Sequence, residues 1–141
     1  MKANGSTVYG KATGLDADAS PVEEFLMRFD VTALHGRTVS SAKLRLHVTN
    51  PAPAGGSVFP VADNTWAETS VAYDNAPAAG TTRLATLGAV SSGRWVEVEL
   101  GGHITGDGTY SIRVRSAHSD GATYSSKEAA TNRPHLVVTS R

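Results

Sequence analysis

Arginines, a lysine and a histidine recur at every second position in several stretches of this chain: Lys43, Arg45 and His47, then Arg113 and Arg115, with Arg28 set between Met27 and Phe29. Spacing of two places such side chains on one face of an extended strand, opposite the apolar residues between them. Guanidinium groups bind carboxylates through two parallel hydrogen bonds. If their strands share a sheet, Arg28, Arg45, Arg113 and Arg115 would therefore form a basic platform for an extended polyanion. Glu97 and Glu99 follow the same period and could instead face these arginines across neighbouring strands and neutralise them. Strand order decides between the two arrangements.

Aromatic residues make up only 6% of the chain, so each is a specific candidate for stacking against a sugar ring. Trp66, Tyr73, Trp95 and Tyr124 each combine an apolar body with a polar tip that can stay wet. Trp95 and Tyr73 are the preferred platform residues, while Trp66 is expected to pin its own loop to the core. The expected carbohydrate-binding set is thus Arg28, Arg45, His47, Tyr73, Trp95, Arg113 and Arg115.

Catalytic chemistry has little support. Glu97, Glu99, Asp120 and Glu128 supply carboxylates, but nothing pairs them at the separation that glycoside hydrolysis needs. The histidines at 35, 47, 103, 118 and 135 show neither a helical zinc spacing nor a nucleophile-elbow partner. A lyase-like pairing of Tyr110 or Tyr124 with an arginine is the one remaining catalytic reading, and the chain is expected not to be an enzyme.

The elements that position these residues read mainly as short strands. Val39 to Val48 alternates cleanly, with Leu44, Leu46 and Val48 inward; Trp95 to Leu100 buries Val96, Val98 and Leu100; Tyr110 to Arg115 buries Ile112 and Val114. Local signals conflict after Ser20. Ser20, Pro21 and Glu23 resemble a helix cap, and Val22, Phe25, Leu26 and Phe29 fall at helical spacing, yet Phe25, Met27, Phe29 and Val31 also alternate. The strand reading is preferred because of the similarity given below. Pro60 within Val58 to Val61 implies an edge or a bulge, and Asn4-Gly5-Ser6, Asn50 to Gly56 and Ser119-Asp120-Gly121 read as turns. With strands divided by such turns, residues 1–141 are expected to form a single all-β domain, an antiparallel β-sandwich of jelly-roll type.

Thirteen cationic residues balance thirteen anionic ones, so no global field points to nucleic acid. No apolar run approaches the roughly 18 residues of a membrane span, and the absence of cysteine excludes a disulfide framework and a thiolate metal site.

Four ordered stretches carry a resemblance: Phe29-Asp30-Val31, Ser41 to Leu46, Trp66-Ala67-Glu68-Thr69, and Tyr124 to Val138 with its Asn132-Arg133-Pro134 approach to the last strand. Together they resemble the DNRLRE-type domains, which overlap the family 96 carbohydrate-binding modules, from about Thr7 to Thr139. That resemblance implies an extracellular β-sandwich covalently linked to other domains of a secreted polysaccharide-degrading or cell-wall protein. Alginate, a uronic-acid polymer, is the ligand associated with characterised members. It also implies that the first strand is truncated at Met1, leaving an open sheet edge beside the last strand. The expected function is non-catalytic binding of an acidic polysaccharide such as alginate through a basic sheet face. The alternative is a spacer or adhesion module with no saccharide ligand. Sugar-binding sandwiches often hold a structural calcium ion, for which Asp16, Asp18 and Glu128 would be the oxygen donors; Asx-turn chemistry and a Glu128–Arg133 ion pair are the competing accounts.

Overall fold

The computed structural model describes residues 1–2 and 5–141. Among the described residues, ten strands form two antiparallel sheets, with one short 3-10 turn at Tyr73–Asn75. They are β1 (Gly14–Ala19), β2 (Val22–Glu23), β3 (Phe25–Val31), β4 (Val39–Asn50), β5 (Gly56–Val61), β6 (Ala85–Leu87), β7 (Trp95–Glu99), β8 (Gly108–Arg115), β9 (Ala122–Ser125) and β10 (His135–Ser140). The first sheet runs β10-β4-β9-β1-β2 with β7 paired to β4; the second runs β3-β8-β5-β6. The architecture is an antiparallel β-sandwich, and residues 25–31 are a strand in spite of their capping signals. Tertiary burial overrides the helical propensity there, because strand geometry puts Phe25, Met27 and Phe29 on the side of the core.

β4 is the long strand around which the first sheet is built. Over Lys43–Arg45 it pairs with β10 and with β7 at once, so those two strands flank it on opposite edges, and Val48 and Asn50 further along pair with β9. Its alternation is complete: Ala42, Leu44, Leu46 and Val48 are fully buried. They meet Val58, Ile112 and Val114 of the second sheet in one continuous apolar core, which also takes in Tyr124. The buried Tyr124 hydroxyl donates to Gly55 O at 2.7 Å, so this ring enters the core without stranding its polar atom. At Gly55 a Cβ would lie 2.5 Å from that hydroxyl, so only glycine permits the contact.

Pro60 sits where β5 has run past β6, which pairs only with Gly56–Val58, so no neighbour on that side needs its missing N–H.

The N-terminal residues lie elsewhere than expected. Lys2 pairs with Glu23, and Met1 exchanges backbone hydrogen bonds with Glu24, so the chain enters beside β2 and β3 rather than beside β10. Ala3, and the Asn4 of the expected turn, lie outside the described residues.

Candidate functional site

The expected platform divides between the two outer surfaces of the sandwich. Arg45, His47 and Trp95 lie on the outer face of the first sheet, whereas Arg28, Arg113 and Arg115 lie on β3 and β8 of the second. Tyr73 joins the second group, its ring 5.4 Å from the Arg113 guanidinium. A single basic face built from Arg28, Arg45, Arg113 and Arg115 therefore does not exist, because their strands do not share a sheet.

Part of the outer face of the second sheet, over Ser111 and Arg113, is covered by the loop that carries Asn64, Trp66 and Pro77. Asn64 accepts from the Ser111 hydroxyl at 2.6 Å and donates to Thr109 O, while the Trp66 indole donates to the Ser111 hydroxyl at 3.1 Å. Trp66 thus pins its loop, and the Arg28 guanidinium stacks on the ring at 4.7 Å while donating to the carbonyls of Asn64 and Trp66. Arg113 is buried under this cover, ion-paired with the equally buried Glu24 and donating to Pro77 O at 3.0 Å. Arg115 shares Glu24 at 3.4 Å and lies over Phe59. Arg113 has exchanged solvent for protein partners, whereas Arg28 stays exposed and Arg115 keeps 42% of its side-chain surface in solvent. Alternation named the outward face correctly; it carried no information about a loop folding over that face. Asn64, the hub of the cover, drew no notice in the sequence, where it reads as an ordinary turn residue.

The outer face of the first sheet carries no such cover over its centre. Registration places His135, Arg45 and Glu97 in one row across β10, β4 and β7; Val137, Lys43 and Glu99 in the next; and His47 opposite Trp95 in a third. These rows span about 13 Å along the strands and about 10 Å across them. Around the half-buried Trp95 ring stand Arg45 at 4.9 Å, His47 at 5.2 Å and His135 at 5.6 Å. Three groups able to carry positive charge thus bracket one indole, and Val137 is among the few large apolar residues exposed anywhere in the fold. Sequence reasoning left out His135 and Val137 because it could not pair β10 with β4.

The two acids of β7 behave differently. Glu97 Oε1 lies 3.0 Å from Arg45 Nε, whose N–H makes no aligned hydrogen bond, so that pair is an electrostatic contact at the half-exposed surface. Glu99 turns away to accept from the Ala42 and Gly101 N–H groups at 2.7 and 2.8 Å and from the Ser41 hydroxyl. These donors, the Ala42 N–H first, hold its carboxyl below the usual glutamate range. Lys43 is left facing solvent in the second row.

Asp16, Asp18 and Glu128 are not assembled as cation ligands. Asp16 accepts from the Thr123 hydroxyl at 2.7 Å and Asp18 from the Ser20 N–H at 3.0 Å, an Asx turn. Glu128 contacts Lys127 at 2.6 Å, and this ammonium lowers its pKa. Asp16 and Asp18 border a polar groove of about 240 Å³, yet among the described residues no three acidic or histidine side chains converge to hold a metal. The donor set does not fit a calcium site, since each carboxylate is already engaged by a separate neighbour.

A cleft of about 410 Å³ opens between β1 and β3. Leu15, Met27, Phe29 and Val71 line it, and at its rim Lys127 bridges Glu68 and Glu128.

The family model for carbohydrate-binding module family 96 matches residues 2–140. Comparison with curated proteins found no match.

Proposed function

The chain belongs to carbohydrate-binding module family 96, and from that premise we propose that it holds an acidic polysaccharide such as alginate on the outer face of the first sheet. The supporting observation is the Trp95 cluster: an indole bracketed by Arg45, His47 and His135, with Lys43 in the adjoining row. A pyranose ring offers a C–H face that can lie against the indole, and the flanking cations suit carboxylates on the same chain. The open, shallow form of the face suits the interior of a long polymer. Nothing there pairs a general acid with a base, so the module acts by binding alone, keeping a secreted parent protein on its substrate. The Arg45–Glu97 contact favours a second reading, a spacer or adhesion module without a saccharide ligand, because a satisfied cation has less to gain from a new anion.

Affinity electrophoresis through gels containing alginate, pectin or a neutral glucan separates these readings. The proposal expects retardation in alginate that weakens with added salt, and its loss in Trp95→Ala. Arg45→Ala should weaken binding roughly ten-fold, the worth of one charge-assisted contact of about 1.5 kcal/mol. Equal mobility in all three gels would favour the spacer.

A further inference from the structure

Resting on the reading of the Trp95 face as the polymer site, we propose that His47 and His135 set its preference for polyanions, so that retention strengthens when the medium turns mildly acidic. The three rows of the face carry two fixed cations, Lys43 and Arg45, against two carboxylates, Glu97 and Glu99. Without charge on the histidines these rows are neutral. Arg45 is in addition already met by Glu97 at 3.0 Å, which lowers what it can offer a new anion. Histidine changes its charge between about pH 5 and about pH 8, whereas uronate and glutamate carboxylates of ordinary acidity stay ionised above about pH 5. Within that window the two imidazoles alone alter the charge of the rows, each adding one positive charge as the pH falls.

The groups around the two rings leave that charge without a partner. His47 on β4 faces Trp95 of β7, with Arg45 two residues before it on its own strand and Glu97 further along β7 on the same face. His135 on β10 faces Arg45 directly and reaches the Trp95 ring at 5.6 Å. Arg94 and Arg133 precede β7 and β10 outside the rows, and Arg133 turns to donate to Ala129 O at 2.8 Å. Among the described residues no carboxylate forms an ion pair with either histidine. His47 Nδ1 is also shielded from solvent with no hydrogen-bond partner, so no protein group fixes its tautomer at that atom. A proton on either ring therefore meets the charge of Arg45 with no anion of its own to offset it. A polymer carboxylate over Trp95 supplies that anion, and by linkage protonation and binding then favour each other.

In the test, alginate oligosaccharides and a neutral glucan are titrated by calorimetry into the intact protein at about pH 8 and at about pH 5.5. Alginate should bind about ten-fold more tightly at the acidic end, while the glucan should show no such gain. The response should vanish when His47→Gln and His135→Gln are combined, and persist in His118→Gln, on the exposed turn between β8 and β9. Ring-proton NMR adds a readout that a purely structural role would not move. Bound alginate should raise the pH at which His47 and His135 ionise and leave His118 where it is. Equal affinity at both pH values, a full response in the double variant, or ring titrations unmoved by bound alginate would overturn the role of the histidines and leave the glycan reading in place. An absence of alginate binding at either pH would overturn both.

Discussion

Arg45 and Arg113 occupy equivalent outward positions on alternating strands, yet the Arg45 side chain keeps 36% of its surface exposed and Arg113 only 8%. The difference arises from the loop after β5, which closes over β8 and supplies Arg113 with the Pro77 carbonyl while Glu24 meets it from the turn before β3. Over β4 no loop does the same. One arginine is therefore part of the fold, and the other remains at a surface that can meet a ligand.

This contrast predicts opposite stability effects. Arg113→Ala leaves Glu24 buried with only the more distant Arg115 for compensation, so it should cost about 3 kcal/mol or more in urea unfolding. Arg45→Ala removes a half-exposed contact and should cost less than about 1 kcal/mol. A loss in Arg113→Ala as small as that in Arg45→Ala would mean that Arg115 takes over the pair.

Trp66→Phe tests whether the loop cover is structural. It retains the ring under Arg28 but removes the indole N–H donated to the Ser111 hydroxyl. A loss of about 1 kcal/mol, with electrophoretic retardation in alginate unchanged, is expected. Lost retardation at full stability would move the glycan site to the second sheet.

Glu99 makes stability depend on pH in a defined direction. Its carboxyl is held below the ordinary value of 4.5 in the folded chain by the Ala42 N–H and its neighbours. The stabilisation is fully present above the unfolded value and is lost as pH falls through the folded one. Thermal melts of the parent and of Glu99→Gln should therefore differ most at neutral pH and converge below pH 4.5. A constant difference across that range would show that the carboxylate is not held.

Chelation gives a further check. Because Asp16, Asp18 and Glu128 each have separate partners, excess chelator should leave the melting midpoint unchanged. A bound ion would stabilise the folded form by mass action, so a lowered midpoint would show that a donor set forms in solution.

Much of the fold was legible because burial imposes a period. Leu44, Leu46 and Val48 against Lys43, Arg45 and His47 specified both the strand and its buried face, and Ile112 and Val114 did so for β8. What a period does not encode is pairing. Whether β4 lies beside β8 depends on contacts between segments nearly seventy residues apart, and the supposed four-arginine platform failed at that step. The same gap hid His135, which reaches Trp95 only because β10 lies on the far edge of β4 from β7. Arg113 shows a second limit: Tyr73 and the Pro77 carbonyl meet it from a loop whose own sequence reads as polar turn.

The Trp95 face draws its rows from residues 43–47, 95–99 and 135–137, three segments that meet only through β4. A partly folded chain, or one that has lost its last strand to a protease, would keep Trp95 but not the arrangement around it. Recognition of the polymer would then be conditional on completed folding. By the same linkage, bound glycan would draw the equilibrium toward the folded state and slow the release of β10, the edge strand that pairs with β4. A module stationed on its polymer would thus be protected most while it is attached.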